Sequence, residues 1–310
     1  METPGPQNEF EFGFLTRCPQ RLEFDGGVVE PVSDLEKLVE DISGSVHEQD
    51  GFLYPPISER WKVRTELTRE GVRENERELV RGSRRQALLF RLPPTHSMLI
   101  ASPARRDEYG HGDEAFILHA LSYIFGTRLQ FRRWFLDMRI PVNKDTRDFF
   151  LTARSAESFL STSYACWRAW PRATQDRAIN ALYMNSRSPS YEWDWERFAI
   201  DYMVFDALYR TTSEIHGLTC PTHFARLRAM CQQYRIPDNS TWLQAIYDLR
   251  NELFHESLWD GHQPGLSTNE DAFRTGLNLR WLNLRLIAGL FGYTGEYLQT
   301  EWWEHWRAAF

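Results

Sequence analysis

The sequence predicts an α+β protein in which a mixed α/β N-terminal region, residues 1–148, precedes an all-α helical bundle, residues 149–310. Three observations predict it. Apolar and polar side chains alternate in short runs through the first half, the period of half-buried strands. After about residue 150 the strand pattern nearly vanishes and helical periodicity replaces it. With 310 residues, 42% hydrophobic and 25% charged, the chain has the length and apolar content of about two ordinary globular domains.

Around Phe10, Phe12, Phe14, Leu22 and Phe24 the alternation, followed by Gly26-Gly27, predicts short strands joined by a turn. Leu35, Leu38, Val39 and Ile42 fall at helical spacing and predict a helix over 33–50, with Ser33 as its N-cap. From Glu59 to Arg85 charges of both signs alternate, which predicts a solvated helix or a mobile loop. Gln86–Leu92 and Met98–Ala101 read as strands. Phe116, Leu118, Leu121 and Ile124 predict a helix over Asp113–Phe125, stopped by Gly126. Leu129–Val142 reads as one or two further strands.

Helices are then predicted near 147–170, 173–185, 192–215, 220–235, 240–257, 269–291 and 293–308. Pro171, Ser188-Pro189-Ser190, Gly217 and the stretch from Gly261 to Gly265 break them. Pro237-Asp238-Asn239-Ser240 supplies a turn and an N-cap.

Charge and composition narrow the function. A net charge of −7 argues against a protein that coats nucleic acid through bulk phosphate neutralisation, and leaves room for a locally basic cleft. The positive charge is nearly all Arg, with Lys only at Lys37, Lys62 and Lys144. No apolar run approaches the roughly 20 residues of a membrane span, and Met1–Glu11 has no apolar run, so a cytoplasmic protein is expected. Cys18, Cys166, Cys220 and Cys231 are scattered and lack CxxC spacing, as reduced cysteines are. P-loop, GxGxxG and GxSxG patterns are absent, so nucleotide hydrolysis and hydride transfer have no support.

The segment with chemistry begins at Thr241. Trp242, Ile246, Leu249 and Leu253 make one core-facing stripe. Asn251 and His255 lie one turn apart on the opposite face, and Asp248 joins them. Arg250 points to a flank, about 140° around an ideal helix from His255. The two approach one phosphate only if Arg250 wraps round, the helix end distorts, or two chains contribute.

Arg250-Asn251-x-x-x-His255, set in the helix Ala245–His255, matches the Arg-polar-xxx-His motif of HEPN domains. A long helix, Arg197–Glu214, with Phe198, Met203, Phe205, Asp206, Leu208 and Tyr209 precedes it, and a Leu277–Leu290 helix follows. Over about residues 150–310 the chain resembles the ApeA-like HEPN ribonuclease group. The resemblance implies a HEPN-like bundle that forms a homodimer or higher homo-oligomer, bringing two motifs into one cleft. It implies metal-independent RNA cleavage with no cofactor, in a toxin or anti-phage defence setting where an antitoxin or phage trigger is a possible partner. The N-terminal region would sense a trigger, bind a partner or select RNA.

The chemistry suits these side chains. RNA carries its own nucleophile, the 2′-hydroxyl. His255 can move a proton near neutral pH. Arg250 offers a fork for phosphorane charge, and a 2′,3′-cyclic phosphate is the expected product. Asn251 can orient His255, and Asp248 can tune His255 or position RNA. The alternatives are that these residues only cap and solvate a helix end, or that the domain is a non-catalytic RNA-binding or protein-interaction module.

Other clusters read as structural. His216, Cys220, His223 and Cys231 are zinc-ligand types, but their spacing fits no site. His111, Asp113, Glu114 and His119 lack the HExxH pattern, and Asp113 reads as an N-cap. Tyr191, Trp193 and Trp195 alternate with Glu192, Asp194 and Glu196, as at a helix start with packed aromatics. Arg84, Arg85, Arg105, Arg106, Arg132 and Arg133 read as exposed, solvated arginines.

Overall fold

The computed structural model describes residues 9–13, 15, 21–45, 47–49, 52–54, 59–68, 71–81, 93–105, 111–131, 134, 138–141, 147, 152–264 and 270–304. The strand expected at Gln86–Leu92, and Arg84, Arg85, Arg106, Arg132 and Arg133, lie outside them. The first half runs β1 (Glu9–Gly13), β2 (Leu22–Phe24), β3 (Gly27–Pro31), α1 (Leu35–Ser45), β4 (His47–Gln49), β5 (Phe52–Tyr54), β6 (Glu59–Thr68), β7 (Gly71–Arg81), β8 (His96–Ile100), α2 (Asp113–Phe125), β9 (Gln130–Phe131) and β10 (Ile140–Pro141). The second half is helical: α3 (Ala153–Arg168), α4 (Arg172–Arg187), α5 (Asp194–His216), α6 (His223–Gln233), α7 (Ser240–Asn251) and α8 (Glu270–Leu290).

Five strands form an antiparallel sheet in the order β2-β3-β8-β1-β9. Its alternation buries Phe12, Leu22, Phe24, Val29, Met98, Ile100 and Phe131, as period-two patterning requires. Gly26, at φ 117°, makes the β2–β3 turn with a backbone that a Cβ would strain. A three-stranded sheet, β10-β5-β4, and the β6–β7 hairpin complete the strands among the described residues.

That hairpin corrects the helix or loop expected from Glu59. Its antiparallel register sets Lys62 opposite Glu78, Arg64 opposite Glu76 and Glu66 opposite Arg73. The segment is thus two paired strands, and pairing between segments is not written in the spacing of either one alone.

α2 has the predicted bounds and is buried along its whole length. Gly126 ends it in the left-handed region at φ 64°. Asp113 is not the N-cap. Gly112 holds that position, and Asp113 instead accepts from the Ala104 and Arg105 amides (3.3 and 2.7 Å) and from the Tyr164 hydroxyl.

The predicted helices from α3 to α8 form, and their ends have local causes. The Thr152 hydroxyl accepts from Ser155 N at the start of α3, and Gly217 closes α5 at φ 71°. The helix expected over 293–308 is replaced, within its described part, by two short 3-10 turns, Glu296–Gln299 and Trp302–Glu304. Gly292, at φ 86°, stops α8, and Tyr293 N–H turns back to Ala288 O.

One buried cluster joins sheet and helices. Phe116 of α2 stacks on Trp167 of α3 at 4.7 Å, and the Tyr123 hydroxyl donates to Leu284 O of α8 at 2.6 Å. The change of sequence period near residue 148 marks where strands give way to helices, and the core runs across it. Among the described residues no helix is long and apolar enough to cross a membrane.

Candidate active site

α7 begins where Asn239 accepts from Trp242 N at 3.3 Å, and it anchors itself through buried Leu243, Ile246 and Leu249. At Glu252 the helix widens into a π turn, Glu252–Glu256, in which only Leu253 is buried. Ser257 ends the turn at φ 56° and donates its N–H to Glu252 O. In i→i+5 geometry residues five apart come nearly into line along the axis. The distorted helix end is therefore the route by which Arg250 meets His255. Arg250 Nη1 lies 2.7 Å from His255 Nε2 within one chain.

A guanidinium only donates. That hydrogen bond therefore exists with His255 Nε2 unprotonated and the ring proton on Nδ1. His255 is exposed and Arg250 half-buried. The guanidinium carbon lies 5.7 Å from the Tyr202 ring centroid and 5.5 Å from that of Phe254, a geometry that favours a cation.

Two expected roles change. The Asn251 side chain accepts from Arg250 Nη1 at 3.0 Å. This bond runs to the arginine, where the sequence placed the histidine. Asp248 accepts from Gln244 Nε2 at 2.8 Å on the exposed side of α7, where an i,i+4 bond occupies it.

Sequence reasoning missed the neighbours of Arg250. Tyr202 and Asp206 stand four apart on α5, and His223 and Arg226 three apart on α6. The Tyr202 hydroxyl is 3.1 Å from His223 Nδ1. Asp206 Oδ1 lies 3.6 Å from His223 Nδ1 and 3.8 Å from Arg226 Nη1. Burial raises the Asp206 carboxyl above its ordinary range, against His223, Arg226 and Arg250, which lower it. Burial lowers His223; Asp206 opposes this, while Arg250, Arg226 and His255 add to it. Burial also raises the Tyr202 phenol, so its proton stays in place to hydrogen-bond. The i,i+4 and i,i+3 spacings were the available signal, readable only once α5 and α6 are known to pack.

The other clusters do not converge. His216 packs edge-on to Tyr234, Cys220 N–H donates to the Tyr209 hydroxyl, and Cys231 is buried with its thiol pushed up to about 12 by burial. His119 is buried between Trp134 and Tyr183. Trp193 N–H donates to Glu196 at the start of α5, and Trp195 packs on the core. Arg105 pairs with Asp176 at 2.6 Å, not with solvent. No three of these side-chain types form a metal-holding group among the described residues.

Comparison of the chain with family models, with curated proteins and with solved structures finds no match.

Proposed function

We propose that the protein is a metal-independent endoribonuclease with Arg250 and His255 as its reacting pair. What supports the reading most is the 2.7 Å bond between Arg250 Nη1 and His255 Nε2. It holds the Nε2 lone pair on Arg250 and puts a cation beside it; Arg250 releases that lone pair to the substrate when the guanidinium swings onto the phosphate. His255 takes the proton of the 2′-hydroxyl as that oxygen attacks phosphorus. Protonated Nε2 can no longer accept from Arg250, so the guanidinium turns to the phosphorane oxygens as their charge grows. The chain breaks at the 5′-oxygen and leaves a 2′,3′-cyclic phosphate. Asn251 holds Arg250 through the exchange. The motif's resemblance to HEPN domains supports a homodimer with two such pairs in one cleft, acting on cytoplasmic RNA in toxin or anti-phage defence under an antitoxin or phage trigger. The N-terminal sheet region then supplies sensing, partner binding or RNA selection.

Purified protein should cut RNA in EDTA, and His255→Ala and Arg250→Ala should each lose about 100-fold or more. Equal cutting by wild type and both variants would remove the pair from the mechanism. The second reading, a binding module, draws on the net charge of −7 and on an arginine already engaged by its own chain. RNA binding without cleavage, with no toxicity on expression, would favour it.

A further inference from the structure

We infer that His223 is the second imidazole of this site, contacting the same RNA phosphate as His255 and giving its proton to the leaving 5′-oxygen. The inference rests on the ribonuclease reading and names a residue outside the motif. Cleavage by the 2′-hydroxyl needs two proton transfers: one off the nucleophile, one onto the leaving oxygen. The O2′–P bond forms as P–O5′ breaks, and no water is consumed. His255, with Nε2 as acceptor, can only take a proton in the free site. In a homodimer the second copy's His255 is held in the same acceptor form by its own Arg250, so a donor must come from a different imidazole.

His223 is placed for it. It opens α6, half-buried, with Tyr202 at 3.1 Å and Asp206 at 3.6 Å both on Nδ1. That leaves Nε2 as the nitrogen free to face a ligand. Tyr202 links the two histidines, since its hydroxyl meets His223 while its ring carries Arg250 and touches Phe254 at 6.0 Å. The charged and titratable groups facing His223 are Tyr202 and Asp206 of α5, Arg226 of α6, Arg250 of α7 and His255 of the π turn.

A separate observation points to an anion. Arg250 Nε and Arg226 Nε, like Asp206 Oδ1, are buried without a hydrogen-bond partner among the described residues, so the cluster's unmet donors outnumber its unmet acceptor. Buried donors are ordinarily satisfied. Burial first, and then Arg250, Arg226 and His255, favour neutral His223. A bound phosphate reverses that balance, because a negative charge nearby favours the imidazolium. Asp206 already pulls the same way, so His223 becomes an acid when the substrate arrives.

The test is a titration of the full chain with uridine 3′-monophosphate, following the histidine ring signals by NMR, beside pH–rate profiles of RNA cleavage. Both His255 and His223 signals should move. His223→Gln should weaken the nucleotide about 10-fold, slow cleavage about 100-fold and erase the alkaline limb of the profile. Tyr202→Phe keeps the ring and removes only the hydroxyl, so it guards against a folding defect; it should shift that limb without erasing it. The inference is overturned if the nucleotide does not bind, if it moves His255 alone, or if His223→Gln keeps wild-type affinity. Movement of both rings with no RNA cleavage at any pH would sink the ribonuclease reading and the proton donation, and leave the phosphate contact standing.

Discussion

Arg250 holds two neighbours through a single nitrogen, Nη1: Asn251 at 3.0 Å and His255 at 2.7 Å. Losing the Asn251 contact frees the guanidinium without removing it. Asn251→Ala should therefore slow cleavage about 10-fold, the worth of one hydrogen bond to a charged group. Asp248→Asn should leave the rate alone, because Asp248 faces solvent and Gln244; a large loss there would restore the supporting role that the sequence suggested. A buried histidine elsewhere reports on pH. Burial, then Arg128 and His111, lowers His119 from 6.5 to about 3. Its neutral form belongs to the fold, so its contribution is whole above pH 6.5 and is lost as pH falls toward 3. The buried Asp201 carboxyl, raised by burial to about 6, acts in the opposite sense, favouring the fold as pH falls from about 6 to 4. Urea melts of wild type and His119→Phe isolate the first term. The stability gap between them should move against wild type by about 2 kcal/mol from pH 7 to pH 5. A gap unchanged with pH would mean that His119 titrates normally. Arg250, Asn251 and His255 were legible as a motif. Their pairing was not, because side-chain partners depend on a backbone distortion that spacing does not encode.

The π turn is the element on which the pair depends. On a regular helix Arg250 and His255 diverge by about 140°; the extra residue in the turn removes that divergence. Ser257 closes it in the left-handed region, where a β-branched side chain is strained. Ser257→Val should cost about 1–2 kcal/mol and slow cleavage with it, whereas Ser257→Gly should keep both. Asn239→Ala, which removes the cap at the other end of α7, should also cost about 1 kcal/mol yet leave the chemistry intact, since the turn lies three helical turns away. Thermal melts beside cleavage rates separate the two ends. If Ser257→Val melts and cuts like wild type, the turn does not set the pair. Helix periodicity and stops gave α2 and α5 their bounds to within a residue or two, because Gly126 and Gly217 write the ends locally. The β6–β7 hairpin was lost because its logic is cross-strand. Its register pairs two segments and is written in neither one's spacing, and the last 3-10 turns were lost because Gly292 and Gly295 outweigh an apolar period.

At the scale of the whole molecule, the fully buried helix α2 explains why the N-terminal region is more than an accessory. It presents Phe116 to Trp167 and Phe291, and Tyr123 to α8, and β8 of the sheet packs on it. Tyr164 of α3 likewise packs on Phe24 of β2 and bonds Asp113. Two sequence periods were legible, and the helical one after residue 150 corresponds to α3–α8. A shared core was not, because an all-apolar α2 reads the same whether it serves one half or both. Its consequence is cooperative. The full chain should lose tryptophan fluorescence and helical circular dichroism at one urea midpoint. The piece 149–310 would expose Phe159, Leu160, Tyr164, Trp167 and Leu182, all buried in the full chain. It should bind a hydrophobic dye, melt broadly and lose any ordered Arg250–His255 contact, since α5, the partner of α7's site through Tyr202, packs on α4, which in turn packs on α2. A piece 149–310 that melts sharply at the full chain's temperature would instead make the helical region a self-sufficient domain, and the sheet and α2 a separable attachment to the site.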